Sequence, residues 1–193
     1  MGEHGTETRE GVLPAGEAAR RVRLDRELLL AEISGREAAE LAAPYQVEAG
    51  PLGDFCESLH DLVAHVLMWD EINLSVLTEA RLGRGHWSLA ARWETPEAGR
   101  LLNRSGVLAG RELPLELLSH RFTTVRHALL AELTGYGEEW HARPAVDHER
   151  ATSLGALAQY AMSVPGAVPY WHAAIHLGRS AEMAAVPAVP DGR

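Results

Sequence analysis

Residues 58–81 read SLHDLVAHVLMWDEINLSVLTEAR. Leu62, His65, Trp69, Ile72 and Val76 recur there at three- and four-residue intervals, the spacing that lines side chains along one face of an α-helix. Ser58 stands where an N-cap is needed, and Gly83 and Gly85 follow the last periodic residue and end the helix. A stripe that is otherwise apolar turns the ring of His65 toward the interior. His60, five residues earlier, is rotated from it by about 140° and falls on a different side.

Outward from this segment the chain repeats the pattern. A preceding helix fits residues 15–33, with Val22, Leu24, Leu28 and Leu29 at near-helical spacing before Ser34 and Gly35 interrupt it. Residues 35–57, with Pro44 and the Gly-Pro-Leu-Gly run, read as a connection. After residue 81, residues 84–111 read as an irregular crossover with one short helical piece over about 96–102. A third helix over 113–134 opens near Pro114 and aligns Leu115, Leu118, Phe122, Val125, Leu129 and Leu133. A fourth helical region spans about 152–182, which Pro165, Gly166 and Pro169 must kink or split. Alternating β-branched runs are missing. The expected fold is therefore all-α, a four-helix bundle with a long crossover between helices 2 and 3, an architecture that builds metal sites from facing helices. Residues 14–183 form its single domain, with flexible tails at 1–13 and 184–193.

The composition of the 193 residues narrows the chemistry. All 18 basic residues are arginine, so Schiff-base lysines and phosphate-loop lysines are excluded. Against 27 acidic residues the formal charge is −9, which disfavours nucleic acid or an anionic membrane as the main partner. No apolar run approaches the roughly 18 residues of a membrane span, and residues 1–16 carry no signal-peptide core. The one cysteine, Cys56, can form no intrachain disulfide or multi-cysteine metal site. It lies away from any recognised base, so it is not expected to be catalytic. The expected setting is a reducing cytoplasm. The oligomeric state is left open, a homodimer included.

Ten histidines remain to be explained. In Tyr170-Trp-His172-Ala-Ala-Ile-His176 two imidazoles stand four residues apart, on one face if the segment is helical. With His65 they offer three inward nitrogens, a facial set that leaves coordination positions for water and substrate. The bland alternative is three hydrogen-bonded core histidines, since such a pair arises readily in a histidine-rich chain. The ordinary imidazole pKa near 6.5 would release a metal as pH falls through that range.

Ser58-Leu-His-Asp61-Leu-Val-Ala-His65-Val-Leu-Met-Trp69-Asp-Glu resembles the S-x-x-D-L-x-A-H-L-x-x-W-E signature of DinB/YfiT-like proteins. Gly35-Arg-Glu-Ala-Ala-Glu-Leu-Ala-Ala-Pro44 is similar to that superfamily's connection after its first helix. The order of Leu101-Leu-Asn103-Arg, the third helix and the H-x-x-x-H pair resembles the ClbS/DfsB branch. The resemblance covers about residues 20–180 and implies an up-down-down-up bundle. It also implies a divalent metal, zinc first and nickel or another transition metal after it, on His65, His172 and His176. The Met162–Pro169 segment and the lack of an H-R-G-Q ending depart from the pattern.

Within this reading Asp61, one turn before His65, is a candidate to fix that imidazole's tautomer, the alternative being a solvated or capping aspartate. Arg179 is a candidate to pair with a substrate carboxylate, the alternative being a surface salt bridge. Trp69, Ile72, Tyr170 and Trp171 are candidates for the substrate pocket, the alternative being core packing. No catalytic acid or base is identifiable. The resemblance implies a metal-dependent enzyme that modifies an electrophilic, largely apolar small molecule through metal-activated water, in natural-product modification or self-resistance. A mycothiol-dependent S-transferase or isomerase is the alternative. Sequestration without turnover is a second one.

Overall fold

The computed structural model describes residues 11–47 and 55–186, so most of both expected tails lies outside the described residues. Among the described residues eight α-helices and no strand occur. Helix α1 spans Ala15–Ile33, α2 Ala38–Leu41, α3 Leu59–Arg81, α4 Pro96–Arg111, α5 Leu115–Thr134, α6 Leu154–Ala161, α7 Ala173–His176 and α8 Ser180–Ala184. The chain is all-α, as expected. No helix is long and apolar enough to cross a membrane among the described residues.

Local chemistry fixes the helix starts. Ser58 Oγ accepts from the Asp61 amide at 3.1 Å, Thr95 Oγ1 from Ala98 at 3.2 Å and Ser153 Oγ from Ala156 at 3.0 Å, each satisfying an N–H the first turn leaves without an intrahelical acceptor. Helix α3 is the axis of the molecule and packs against α4, α5, α6 and α7, while α1 packs against α5 and α7. Its apolar faces feed two interior clusters. Leu62 and Val66 meet Leu29, Leu118 and Phe122 in one. Val76 and Leu77 meet Val22, Leu129, Trp140 and Leu157 in the other. Between them α3 buries His65, Asp70 and Asn73.

Three sequence expectations are corrected. The 84–111 crossover is not a loop with a short helical piece, because α4 continues for sixteen residues to Arg111. Gly99, Gly106 and Gly110 weaken its helical appearance, yet two of them are what dock it. A β-carbon at Gly110 would lie 2.1 Å from Ala64 Cβ, and one at Gly106 2.6 Å from Met68 Sδ. Gly110→Ala is therefore expected to destabilise the protein by about 1–3 kcal/mol through overpacking, despite the better helix propensity of alanine. Urea denaturation checks this, and an unchanged or stabilised variant would show that the α3–α4 approach is looser than described.

The fourth region is not one helix over 152–182. It breaks after Ala161 into an irregular segment before the single turn of α7. Pro165 and Pro169 cannot donate to a helical ladder. Gly166 at φ 76° and Tyr170 at φ 68° both take the left-handed region. The N-terminal boundary also shifts. Trp140 Nε1 donates to the Leu13 carbonyl at 2.9 Å, and the Leu13 amide donates to Gln159 Oε1 at 3.0 Å, so Leu13 belongs to the packed domain.

Candidate metal centre

His65 sits in the second turn of α3, His172 at the N-cap position of α7 and His176 on its last residue, all three buried. One helical turn is enough to set the second and third rings side by side, so the pair survives the loss of the long helix. The three rings form a nearly equilateral triangle with centroid separations of 4.9, 5.1 and 5.1 Å. One ligand nitrogen from each lies within 4.8 Å of the others. His65 Nε2 and His172 Nε2 approach to 2.9 Å. With metal–nitrogen bonds of about 2.05 Å, two ligands at right angles stand about 2.9 Å apart and two at the tetrahedral angle about 3.3 Å. The His65–His172 separation is thus that of two ligands on one transition-metal ion, and the third ring stands close enough for the set to hold one. Three imidazoles favour zinc, nickel or copper over calcium or magnesium, which take oxygen ligands.

The support beneath α7 comes from α1. Asp25 accepts from the backbone amides of His172, Ala173 and Ala174 at 3.0, 2.9 and 2.8 Å. It also accepts from the Arg26 guanidinium, which donates through Nε to Asp70 Oδ2 at 2.8 Å and through Nη2 to Asp70 Oδ1. Burial opposes a charge on Arg26, but Asp70 and Asp25 more than offset it and hold the guanidinium ionised. Burial pushes the Asp70 carboxyl up, against Arg26. The carboxylate of α1 thus holds the backbone that aims His172.

Burial first, then His176 and Arg26, lowers the His65 pKa to about 3. Burial, His65, Arg26 and His176 likewise lower that of His172. Both imidazoles stay neutral, so their lone pairs remain available well below pH 6.5. For these two rings, proton competition with a bound ion would begin below the ordinary imidazole range. The sign for stability is equally definite: an unfolded chain takes protons near pH 6.5 that the folded one refuses, so stability is full above that pH and falls below it. The metal-free protein is expected to lose about 1.4 kcal/mol per pH unit from His65 alone between about pH 6 and 4. Chemical denaturation at a series of pH values measures this. A flat profile would mean the ring is protonated while folded.

The rings open into a cavity of about 250 Å³ walled by Trp69, Asn73, Asn103, Met162, Val164 and Pro165, with no carboxylate or guanidinium in its lining among the described residues. Trp69 Nε1 donates to Asn103 Oδ1 at 2.7 Å. Because indole is donor only, this fixes the amide orientation of Asn103, which lines the cavity and keeps Nδ2 as its donor. Asn73, two turns beyond His65, was missed in the sequence, and Asn103 entered it only within the Leu101-Leu-Asn103-Arg stretch, with no role attached.

Of the sequence-derived candidates, His65, His172, His176 and Trp69 come together. His60 stays apart, beside Asp61 and Arg111. Asp61 does not reach His65: it accepts from Arg111 Nε and Nη2 at 2.8 and 2.7 Å and from the Glu57 amide at 2.9 Å. His65 Nδ1 is buried without a hydrogen-bond partner. Arg179 faces outward and pairs with Glu182 at 2.9 Å, because the face that should have carried it inward ends with α7. The irregular segment also turns Tyr170 and Trp171 away. Tyr170 packs in the core, and Trp171 lies under the Arg21 guanidinium, 5.6 Å from its ring centroid. Ile72 lines a neighbouring chamber rather than the histidine cavity. Cys56 is buried and its thiol is pushed up to about 12 by burial and then Asp61, which keeps it unreactive. No protein-family model matches this chain, and neither a curated protein nor a solved structure does.

Proposed function

We propose that the chain is a divalent-metal enzyme that hydrolyses an uncharged electrophilic small molecule. One observation carries the reading: three buried imidazoles, two of them held neutral by their surroundings, converge at the wall of a cavity with no charged side chain among its described lining residues. A divalent ion bound there supplies Lewis acidity and makes water a competent nucleophile near neutral pH.

The chain's own residues do the rest. His65, His172 and His176 present nitrogen lone pairs, with His172 held in place from α1 through Asp25. Asn103 Nδ2 donates to an acceptor oxygen of the substrate as charge develops on it, the role amide donors play in acyl-transfer sites. Trp69, Met162 and Val164 exclude bulk water and favour an apolar body. The absence of a guanidinium from the lining disfavours a large anionic thiol cofactor, which requires cationic partners.

The test is zinc-reconstituted protein incubated with neutral 4-nitrophenyl esters and small epoxides, with and without mycothiol, followed by mass spectrometry and by elemental analysis of the protein. Products carrying one added water are expected in both samples, with about one ion per chain. Product formed only with mycothiol would overturn the proposal in favour of a transferase. Tight binding of intact ligand without turnover would leave a sequestering protein, and no bound ion would remove the metal altogether.

A further inference from the structure

The histidine cavity does not end at Trp69. A second chamber of about 410 Å³ meets it along Trp69, Asn73, Ala161, Ser163 and Pro165, residues that line both spaces. Its far walls are Ile72 and Val76 of α3, Leu89 and Trp93 of the segment before α4, and Gly99 and Leu102 of α4. Small-molecule sites run to about 300–1,000 Å³. The histidine cavity alone falls below that range and the two spaces together fall within it.

The second chamber is apolar, and its one ionisable carboxylate is already engaged. Glu94 accepts from Tyr160 Oη at 2.6 Å and is bonded to His148 Nε2 at 2.8 Å. Trp93, whose Nε1 is buried with no hydrogen-bond partner, forms part of its wall. Gly99 removes a side chain where one would fit: a β-carbon there meets nothing within 4 Å. A helix interior normally gains from alanine over glycine, so the space is left open at the expense of helix stability.

From these observations we infer that the two spaces are one cleft, and that its ligand is elongated and uncharged, with its reactive polar end at the three imidazoles and an apolar arm in the Trp93 chamber. The inference rests on the proposed metal site for the reactive end only; the arm subsite stands on the second chamber.

Acetohydroxamate and octanohydroxamate are the probes, because they share a metal-binding head and differ only in the arm. Titration calorimetry with zinc-loaded protein is expected to show octanohydroxamate bound at least about a hundredfold more tightly, since a fully buried methylene is worth roughly fourfold. Gly99→Leu fills the chamber and replaces a helix-weakening residue, so it is expected to melt at or above the parent temperature. It should leave acetohydroxamate affinity unchanged and reduce the chain-length gain to below about threefold.

Equal affinities for the two probes, or an undiminished gain in Gly99→Leu, would overturn the inference. Acetamide and octanamide against metal-free protein separate it from the metal reading. A chain-length gain there that Gly99→Leu abolishes, together with zinc-independent binding of acetohydroxamate, sinks the metal site and keeps the arm subsite. Zinc-dependent binding of both hydroxamates with equal affinity does the reverse.

Discussion

Replacing His65 with alanine is expected to lower affinity for zinc by about a hundredfold or more, whereas His60→Ala leaves it within about threefold. Both residues lie on α3 within five positions, so composition, helix propensity and net charge change alike in the two variants. The direction of the side chain differs, and with it the burial: His65 is buried and His60 is half-buried. His65 Nε2 lies 2.9 Å from His172 Nε2, while His60 sits at a separate surface pocket beside Asp61 and Arg111. Losing a partner that only orients a ligand typically costs about ten- to a hundredfold in affinity, and losing a ligand itself costs at least the top of that range. The metal-free fold should survive at reduced stability: His65→Ala opens a ring-sized space and leaves His172 Nε2 without its 2.9 Å neighbour, but it strands no buried charge, because the ring is neutral. Competition against a chromophoric chelator gives the affinities, and circular dichroism of the metal-free variants confirms that both fold. Equal losses would place the ion elsewhere, and no loss in either would return the three rings to simple core packing.

What the sequence made legible follows from how local each determinant is. Helices α1, α3 and α5 were readable because their buried residues repeat within the helix itself, as with Leu118, Phe122, Leu129 and Leu133. Helix α4 was not, since it docks through Gly106 and Gly110, and absent side chains leave no periodic mark. The histidine set was readable for a reason that outlived the error about its helix: four-residue spacing places two rings together over a single turn. The rest of the site was set by partners distant in sequence. Asp61 has the right offset from His65, but Arg111 of α4 supplies a bidentate partner that an isolated helix could not predict. Asp25 caps α7 across 147 residues of chain. Arg179 was carried outward because the helical face that would have continued past His176 is broken at Pro165 and Pro169, while Tyr170 and Trp171 took the core-packing alternative.

That long-range support has a measurable weight. Arg26 is 2% exposed and shared between Asp25 and Asp70, both fully buried. Arg26→Met keeps much of the side-chain volume but leaves two buried carboxylates without their cation. Removing one partner from a buried ion pair costs about 3–5 kcal/mol. At about 2–4 °C per kcal/mol for a chain of this size, the melting temperature should fall by roughly 6–20 °C. The loss should also depend on pH in one direction. Burial already raises the Asp70 carboxyl and Arg26 opposes it, so without Arg26 its pKa rises further and the folded state binds a proton that the unfolded chain releases. Stability linked to such a raised carboxyl is present at low pH and is lost as pH rises. Arg26 also helps to lower the His65 and His172 pKa values, so its removal softens their penalty on acidification. Both effects act together, and the deficit relative to the parent protein is expected to shrink between pH 7.5 and 5.5. Adding Asp70→Leu to Arg26→Met should recover part of the loss, because an apolar pair replaces a lone buried charge. Calorimetric melts of the three proteins at both pH values decide the matter: a deficit below about 1 kcal/mol, or one that grows on acidification, would show that Arg26 is not the ion holding the floor beneath His172.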